Sequence, residues 1–268
     1  MTAIDVHPSE LAYAFSYARA EAIIGWGSAP FLPARPEDGD PADWLAAGEA
    51  RMLAAGRLVG SSETGLNFTE AMTQAILALV DPGIVLVAQR KAGDGLRTLT
   101  VHLRDGAAVG LTRQTDGQFA LTRYDGLTAA AVACAAFVGA TLAPADSRAR
   151  IETDQATLSA LNRDADAGDD DKAVAALMAL GAAEPDARSA AQVLAAPIAA
   201  GVVSVLYCAG NVVADAQTFS VMTNAQDHTW VVFPPASLDG PMVMERSSLS
   251  ALAARVTVGM AARMAQPG

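Results

Sequence analysis

Apolar and polar residues alternate along four short runs in the middle of the chain, at residues 84–89, 96–104, 107–113 and 118–124. In the second run, leucine and valine alternate with threonine, histidine and arginine. This pattern is typical of a strand with one buried and one solvated face, and it places His102 on the solvated face. Gly-containing joints separate the runs, and glycine accepts the positive φ that tight turns require. The segment is therefore predicted to form an antiparallel β-meander.

Apolar residues three and four positions apart predict helices on both sides of this meander. Ser9 and Asp43 are the predicted N-caps of the first two helices. Prolines and glycines between residues 25 and 41 predict an irregular loop, in which Trp26 and Phe31 are expected to fill core space. The predicted helices cover residues 8–24, 43–55, 69–80, 127–142 and 247–264.

The order of elements in the first part of the chain returns in the second part. Segment 51–56 is echoed by 176–181, and segment 82–87 by 200–205. Further strands are predicted at 218–223 and 229–233, before the last helix. A repeated order of elements is the mark of an internal duplication. We therefore predict an α+β fold of two pseudo-symmetric halves, each an antiparallel β-meander covered by helices.

The predicted boundary between the halves lies where the sequence becomes charged and polar. The N-terminal half, residues 1–143, contains the leading helix and the Pro-rich loop. The C-terminal half, residues 144–268, begins with an acidic linker at residues 144–172 that contains a short helix-like piece at residues 157–161. A charged and polar segment of this kind is typical of a domain boundary.

The composition adds a marked excess of acidic residues, with 29 Asp and Glu against 18 Lys and Arg and a formal net charge of −11. Nucleic acid and anionic membrane surfaces are therefore not predicted as partners. Two apolar runs, at 126–145 and 189–214, are alanine-rich or interrupted by proline, glycine and polar residues, so neither is predicted to span a membrane. With two distant cysteines and no basic segment before an apolar stretch near the N-terminus, we expect a cytoplasmic protein.

The candidates for chemistry are few. Of the three histidines, His228 is the best candidate for acid–base chemistry, because it lies beside Asp227 at a predicted hairpin tip. Together with Trp230, these residues form the polar and aromatic cluster that the sequence favours for ligand binding. Cys134 and Cys208 lie in apolar segments and are expected to be core residues.

The sequence predicts no catalytic residue, no metal and no cofactor. The acidic run at 164–171 departs from a calcium-binding EF-hand loop, since Ala175 stands where that loop needs a glutamate. Phosphate-binding, zinc-binding and hydrolase motifs are absent from the sequence. His7 is expected to lie in an exposed N-terminal tail.

Several stretches resemble the EspG family of mycobacterial and related type VII secretion proteins. They are a helix end at Ala55-Gly56-Arg57-Leu58-Val59, the segment 77–86, and an Arg- and Gly-rich meander followed by a covering helix. The resemblance spans most of the chain after residue 42 and leaves out the leading helix and the Pro-rich loop. Members of the family are cytosolic, non-enzymatic chaperones with two pseudo-symmetric α+β halves that hold a helical export substrate. The resemblance implies a binding role but assigns no individual binding residue.

Three functional hypotheses follow. The preferred one is a non-enzymatic, chaperone-like adaptor that binds another protein, such as a helical secretion-type client. The alternative is an enzyme or small-ligand sensor that uses a cleft between the two halves and the cluster of Asp227, His228 and Trp230. The third is self-association through an exposed strand edge or an apolar helix face.

Overall fold

The structure is a computed structural model that describes residues 2–33, 39–61, 65–93, 95–143, 149–210, 212–235, 237 and 240–264. Within these residues, the α-helices are α1 (Pro8–Tyr17), α2 (Pro41–Ala54), α3 (Glu70–Val80), α4 (Gly126–Phe137), α5 (Gln155–Asp166), α6 (Asp170–Ala179), α7 (Glu184–Ala195) and α8 (Leu249–Met264). The strands are β1 (Thr2–Val6), β2 (Leu58–Ser61), β3 (Gly65–Phe68), β4 (Ile84–Ala92), β5 (Gly95–Arg104), β6 (Ala107–Arg113), β7 (Phe119–Tyr124), β8 (Arg150–Thr153), β9 (Ala199–Ala209), β10 (Val212–Thr223), β11 (Thr229–Phe233) and β12 (Met242–Ser247).

Ten of the described strands form one sheet in the order β1-β7-β6-β5-β4-β9-β10-β11-β12-β8. The α+β class is confirmed. From one end, the sheet starts with β1, which is followed by β7, β6, β5 and β4. From the other end, it starts with β8, which is followed by β12, β11, β10 and β9. The predicted pair of pseudo-symmetric halves stays a prediction.

The predicted meander is present as β4 to β7. In the β5–β6 pair, Leu99 lies opposite Thr112 and Arg104 lies opposite Ala107. The turn glycines Gly106 and Gly117 have φ values of 83° and 85°. These values lie in the left-handed region that favours glycine, so the turn chemistry read from the sequence is confirmed.

The contacts within the chain define two compact units, which we describe separately. The first unit is built from Met1–Leu86, Leu99–Ala130 and Leu206–Asp215, and the second from Val87–Thr98, Ala131–Val205 and Ala216–Gly268. The boundary predicted between residues 143 and 144 stays a prediction.

The first unit packs α1, α2, α3 and the loop after α1 against one face of its strands. Met72, Ile76 and Leu79 recur at helical spacing on α3 and are buried, as the apolar pattern predicted. Phe31 is also buried, so its predicted role as a core residue under the loop is confirmed. The main buried residues of this core are Val6, Leu11, Phe15, Ile23, Phe31, Met52, Leu58, Met72, Ile76, Leu79, Val109, Leu111, Phe119 and Leu121.

The second unit packs α5, α6 and α7 against its own strands. Trp230 and Val232 of β11 face these helices, and Met244 of β12 lies opposite Val232 in the sheet. The main buried residues of this core are Ile151, Leu161, Ala173, Leu177, Ala187, Ala190, Val193, Trp230, Val232 and Met244.

The N-terminal prediction was wrong in three respects. Residues 2–6 form the edge strand β1 instead of a tail, and α1 ends at Tyr17 rather than at residue 24. The N-cap is His7, not Ser9: His7 Nδ1 accepts a hydrogen bond from the backbone N–H of Ser9 at 3.2 Å. In return, the backbone N–H of His7 donates to Glu10 Oε2 at 2.7 Å, which completes a capping box. The cap of α2 is likewise Asp40 and not Asp43.

The segment predicted as a linker, with a helix-like piece at residues 157–161, contains more regular structure than expected where the structure describes it. Residues 149–172 contain β8, α5 and the start of α6, while residues 144–148 lie outside the described residues. Asp154 caps α5 by accepting from the backbone N–H of Thr157 at 2.7 Å, and Leu161 on the same helix is buried. On α5, Leu161 and Ala165 are buried while Asn162 and Arg163 are exposed, so only a narrow apolar stripe of this helix enters the core.

Candidate functional site

The three residues predicted as a ligand-binding cluster lie at the β10–β11 hairpin of the second unit, in different environments. Trp230 is fully buried, His228 is half-buried, and Asp227 is exposed in the turn. Asp227 has a φ of 61°, and its carbonyl accepts a hydrogen bond from Thr141 Oγ1 at 2.6 Å. The contacts described for Asp227 are therefore those of a turn residue. As a ligand-binding set, the three residues stay a prediction.

A buried serine on α7, which the sequence did not single out, joins two members of this cluster. Trp230 Nε1 donates to Ser189 Oγ at 3.0 Å, and Asn224 Nδ2 donates to the same oxygen at 3.4 Å. A serine oxygen has two acceptor positions, and both are occupied here. The one hydroxyl proton of Ser189 therefore goes to His228 Nδ1, which lies 3.0 Å away.

The Ser189 network orders the hairpin end. Asn224 Oδ1 accepts from the backbone N–H groups of Gln226 and His228, both at 3.0 Å, and Asn224 Nδ2 also donates to Gln192 Oε1 at 3.0 Å. Ser189 is only 4% exposed, and all of its hydrogen-bonding positions are used. A serine nucleophile needs a free oxygen lone pair, so this geometry is that of a structural anchor. The sequence did offer one signal for this network: Asn224 lies in the predicted turn, and asparagine side chains in turns often accept hydrogen bonds from the backbone two residues further on.

The prediction that His102 lies on a solvated face of β5 was wrong. This histidine is completely buried, as is Thr100, because the face of β5 that was expected to be solvated is covered in the first unit. His102 Nε2 lies 2.9 Å from Thr100 Oγ1, and Thr100 Oγ1 accepts a hydrogen bond from Trp26 Nε1 at 2.8 Å. Burial lowers the pKa of His102 to about 3, so the ring is neutral at physiological pH.

Cys134 is a buried core residue, as predicted, whereas Cys208 is only half-buried, so the prediction of a core residue was wrong for Cys208. Burial raises the pKa of the Cys134 thiol to about 12 and also raises the pKa of the half-buried Cys208. Such thiols are weak nucleophiles, because the thiolate is the reactive species.

Part of the sheet in the second unit is only partly covered. A Cβ atom placed on Gly201 would lie 2.8 Å from Val138 Cβ, which follows α4, so Val202 and Ser204 face away from α4. Arg90 stacks over Phe137 at the end of α4, so its neighbour Gln89 also faces away. Hydrogen bonds extend this face to two threonines, from Gln89 to Thr98 at 3.5 Å and between Ser204 and Thr218 at 2.8 Å. We call Gln89, Thr98, Val202, Ser204 and Thr218 the open face; all five are half-buried or exposed.

Two searches of the described residues concern other functional classes. No group of three or more His, Cys, Asp or Glu side chains is arranged there to hold a metal ion. None of the helices in the described ranges is both long enough and apolar enough to cross a membrane.

Comparison with known proteins shows similarity in structure. No protein-family model matches the chain, and none of the curated proteins matches its sequence. A matching solved structure is that of the Mycobacterium tuberculosis type VII secretion system chaperone EspG5 in complex with the PE25-PPE41 dimer. The match has a TM-score of 0.64 and 13% sequence identity, and it covers 95% of this chain and 94% of the other. The similarity predicted from the sequence is therefore confirmed at the level of the fold.

Proposed function

We propose that this chain is a non-enzymatic, chaperone-like adaptor that binds a helical secretion-type client in the cytoplasm. The observation that carries the proposal is the match to the EspG5 fold over nearly the full length of both chains. EspG5 is a secretion chaperone solved with a protein dimer bound to it. A fold can host several functions, so the proposal depends on a binding surface as well.

The open face supplies a surface of suitable chemistry. It carries one apolar residue, Val202, among the polar side chains Gln89, Thr98, Ser204 and Thr218. Ile198, just before β9, is 63% exposed and adds apolar area in the same unit. A helix with one apolar stripe and polar flanks would bury these apolar groups and keep the polar ones paired.

The first experiment identifies the client. The tagged chain is purified from its native host after cross-linking, partners are identified by mass spectrometry, and the most abundant partner is then purified and titrated calorimetrically. We expect a stoichiometric complex with a protein that is mostly helical by circular dichroism. Light scattering on the chain alone distinguishes this outcome from self-association. Recovery of the chain without a stoichiometric partner would contradict the adaptor proposal.

The second experiment tests the open face. Val202→Asp and Thr218→Arg place charge on it, and each is expected to weaken client binding by about tenfold or more, since a buried unpaired charge is costly. The matched control is Val258→Asp on α8, a residue that is 67% exposed in the same unit. Melting curves establish that the variants are folded. Equal affinity of all three variants would show that the client binds elsewhere.

The alternative function, an enzyme or small-ligand sensor, stays a prediction. Its candidate residues are Asp227, His228 and Trp230 at the β10–β11 hairpin.

A further inference from the structure

The first unit contains a cavity of about 500 Å³ between α3 and one face of the sheet. Its floor is formed by Met72 and Ala75 of α3, Val109 of β6 and Leu121 of β7, all apolar and nearly buried. Its described lining residues are Ile4, Ala55, Arg57, Thr69, Ala71, Met72, Gln74, Ala75, Ala107, Val109, Leu121 and Arg123. The volume lies within the range of small-molecule sites, and most of the lining is apolar, as in such sites.

The cavity opens towards a second one of about 400 Å³ along α3. The two share Gln74, Ala107 and Arg123, and the second continues to Leu77 and Arg104. Arg123 therefore lies where the two cavities meet. Its position follows from the sheet: Arg123 is the register partner of Val109, so it emerges directly beside the apolar floor.

The charges around these cavities favour an anion at Arg123. Arg57 is already paired, because its Nη1 lies 2.7 Å from Glu10 Oε1 and its Nη2 donates to the Asp5 carbonyl at 2.7 Å. Arg104 is also paired, with Asp81 and Asp105. The backbone of Arg123 pairs with its neighbours in the sheet, but its side chain has no hydrogen-bonding or ionic partner among the residues that the structure describes. Within the same described part of the chain, no acidic side chain lines the larger cavity.

We infer that this cavity binds a small carboxylic acid with an apolar chain, and that Arg123 receives the carboxylate. A guanidinium group holds a carboxylate through two parallel hydrogen bonds, and Gln74 and Thr69 are the remaining polar groups at the wall. An alkyl chain needs no hydrogen-bonding partner on the floor. A peptide backbone placed there would leave its amide groups without partners, which is costly. The site is therefore matched to a fatty-acid-like molecule rather than to a peptide.

The test uses decanoate as the probe, titrated into the purified full chain by calorimetry at low ionic strength. We expect saturable binding of one decanoate per chain. Arg123→Met should weaken this binding by about tenfold or more, since it removes a charge-assisted, two-bond contact. Ala71→Trp, at an exposed lining residue of α3, should also weaken binding because its side chain occupies part of the cavity.

Two controls separate the site from general attraction. Arg113→Met removes the same charge from an exposed position of β6 outside the cavity lining, and it should leave decanoate affinity unchanged. Decyltrimethylammonium has the same chain length and the opposite charge, and it should bind at least tenfold more weakly. The inference is overturned if decanoate shows no saturable binding up to about 1 mM, the weak end of specific affinity. It is equally overturned if the Arg123 and Arg113 variants bind decanoate alike. Neither result bears on client binding.

Discussion

Replacing Ser189 by alanine tests whether the Ser189 network anchors the second unit. The substitution removes the acceptor of Trp230 Nε1, a donor on a side chain with no exposed surface. It also removes the hydroxyl that donates to His228 Nδ1. Because α7 lies over the indole, water cannot replace the lost acceptor without a local opening of the helix. The variant should therefore be folded but less stable.

The size of the effect follows from the burial of the indole N–H. Leaving a buried donor without a partner costs about 1–3 kcal/mol, whereas a typical exposed hydrogen bond contributes about 1 kcal/mol or less. We expect Ser189→Ala to lower the free energy of unfolding by about 2 kcal/mol. At about 2–4 °C per kcal/mol for a chain of this size, the melting temperature should fall by about 4–8 °C.

Urea unfolding followed by circular dichroism measures this loss, and two further variants identify its cause. Ser159→Ala on α5 removes an exposed hydroxyl that donates to the Gln155 carbonyl, so its effect should stay within about 0.5 kcal/mol. Trp230→Phe removes the indole donor, so the cost of Ser189→Ala in that background should fall by about 1 kcal/mol. If Ser189→Ala costs no more than Ser159→Ala, or costs the same with and without the indole, the anchor interpretation is refuted.

Two further predictions concern the first unit. Gly48→Ala should destabilise the chain by about 1–3 kcal/mol, because its Cβ would lie 2.1 Å from the Ser9 carbonyl oxygen where α1 and α2 cross. In Gly259→Ala on α8, the new Cβ would have no atom within 4 Å apart from its own helix backbone, so this variant should be neutral or stabilising. Equal losses of stability in the two variants would contradict this packing. His102 has a lowered pKa in the folded state, so unfolding takes up a proton and stability falls as the pH drops from about 6.5 towards 3. Urea unfolding at pH 6.5 and 5.0 measures this effect: between these two pH values, the free energy of unfolding of the wild type should fall by about 1.5 kcal/mol more than that of His102→Gln. Parallel pH profiles of the two proteins would refute the burial of a neutral ring.

The sequence correctly predicted those helices and strands whose local residue pattern is enough to specify their secondary structure. The meander β4 to β7 is defined by alternation and by its turn glycines, and α3 is defined by an apolar stripe that ends at Val80, just before Asp81 and Pro82. The strands β1, β8 and β12 were missed because they are short and lie at or next to the edges of the sheet. Their pairing depends on partners distant in sequence, such as Val6 opposite Phe119, and a strand of five residues carries little pattern of its own.

The candidate sites were less predictable, because each depends on which face of an element is covered. The alternation in β5 separated two faces correctly, but it gave no information that Trp26 covers the polar one and donates to Thr100. In the same way, nothing local in α7 distinguishes Ser189 from an exposed serine until Trp230 is brought against it. A buried polar side chain is tolerated only where a partner meets it, so its role is set by tertiary packing. The open face and the Arg123 cavity also depend on tertiary packing, because only the folded chain shows which apolar and polar side chains of its strands are left uncovered.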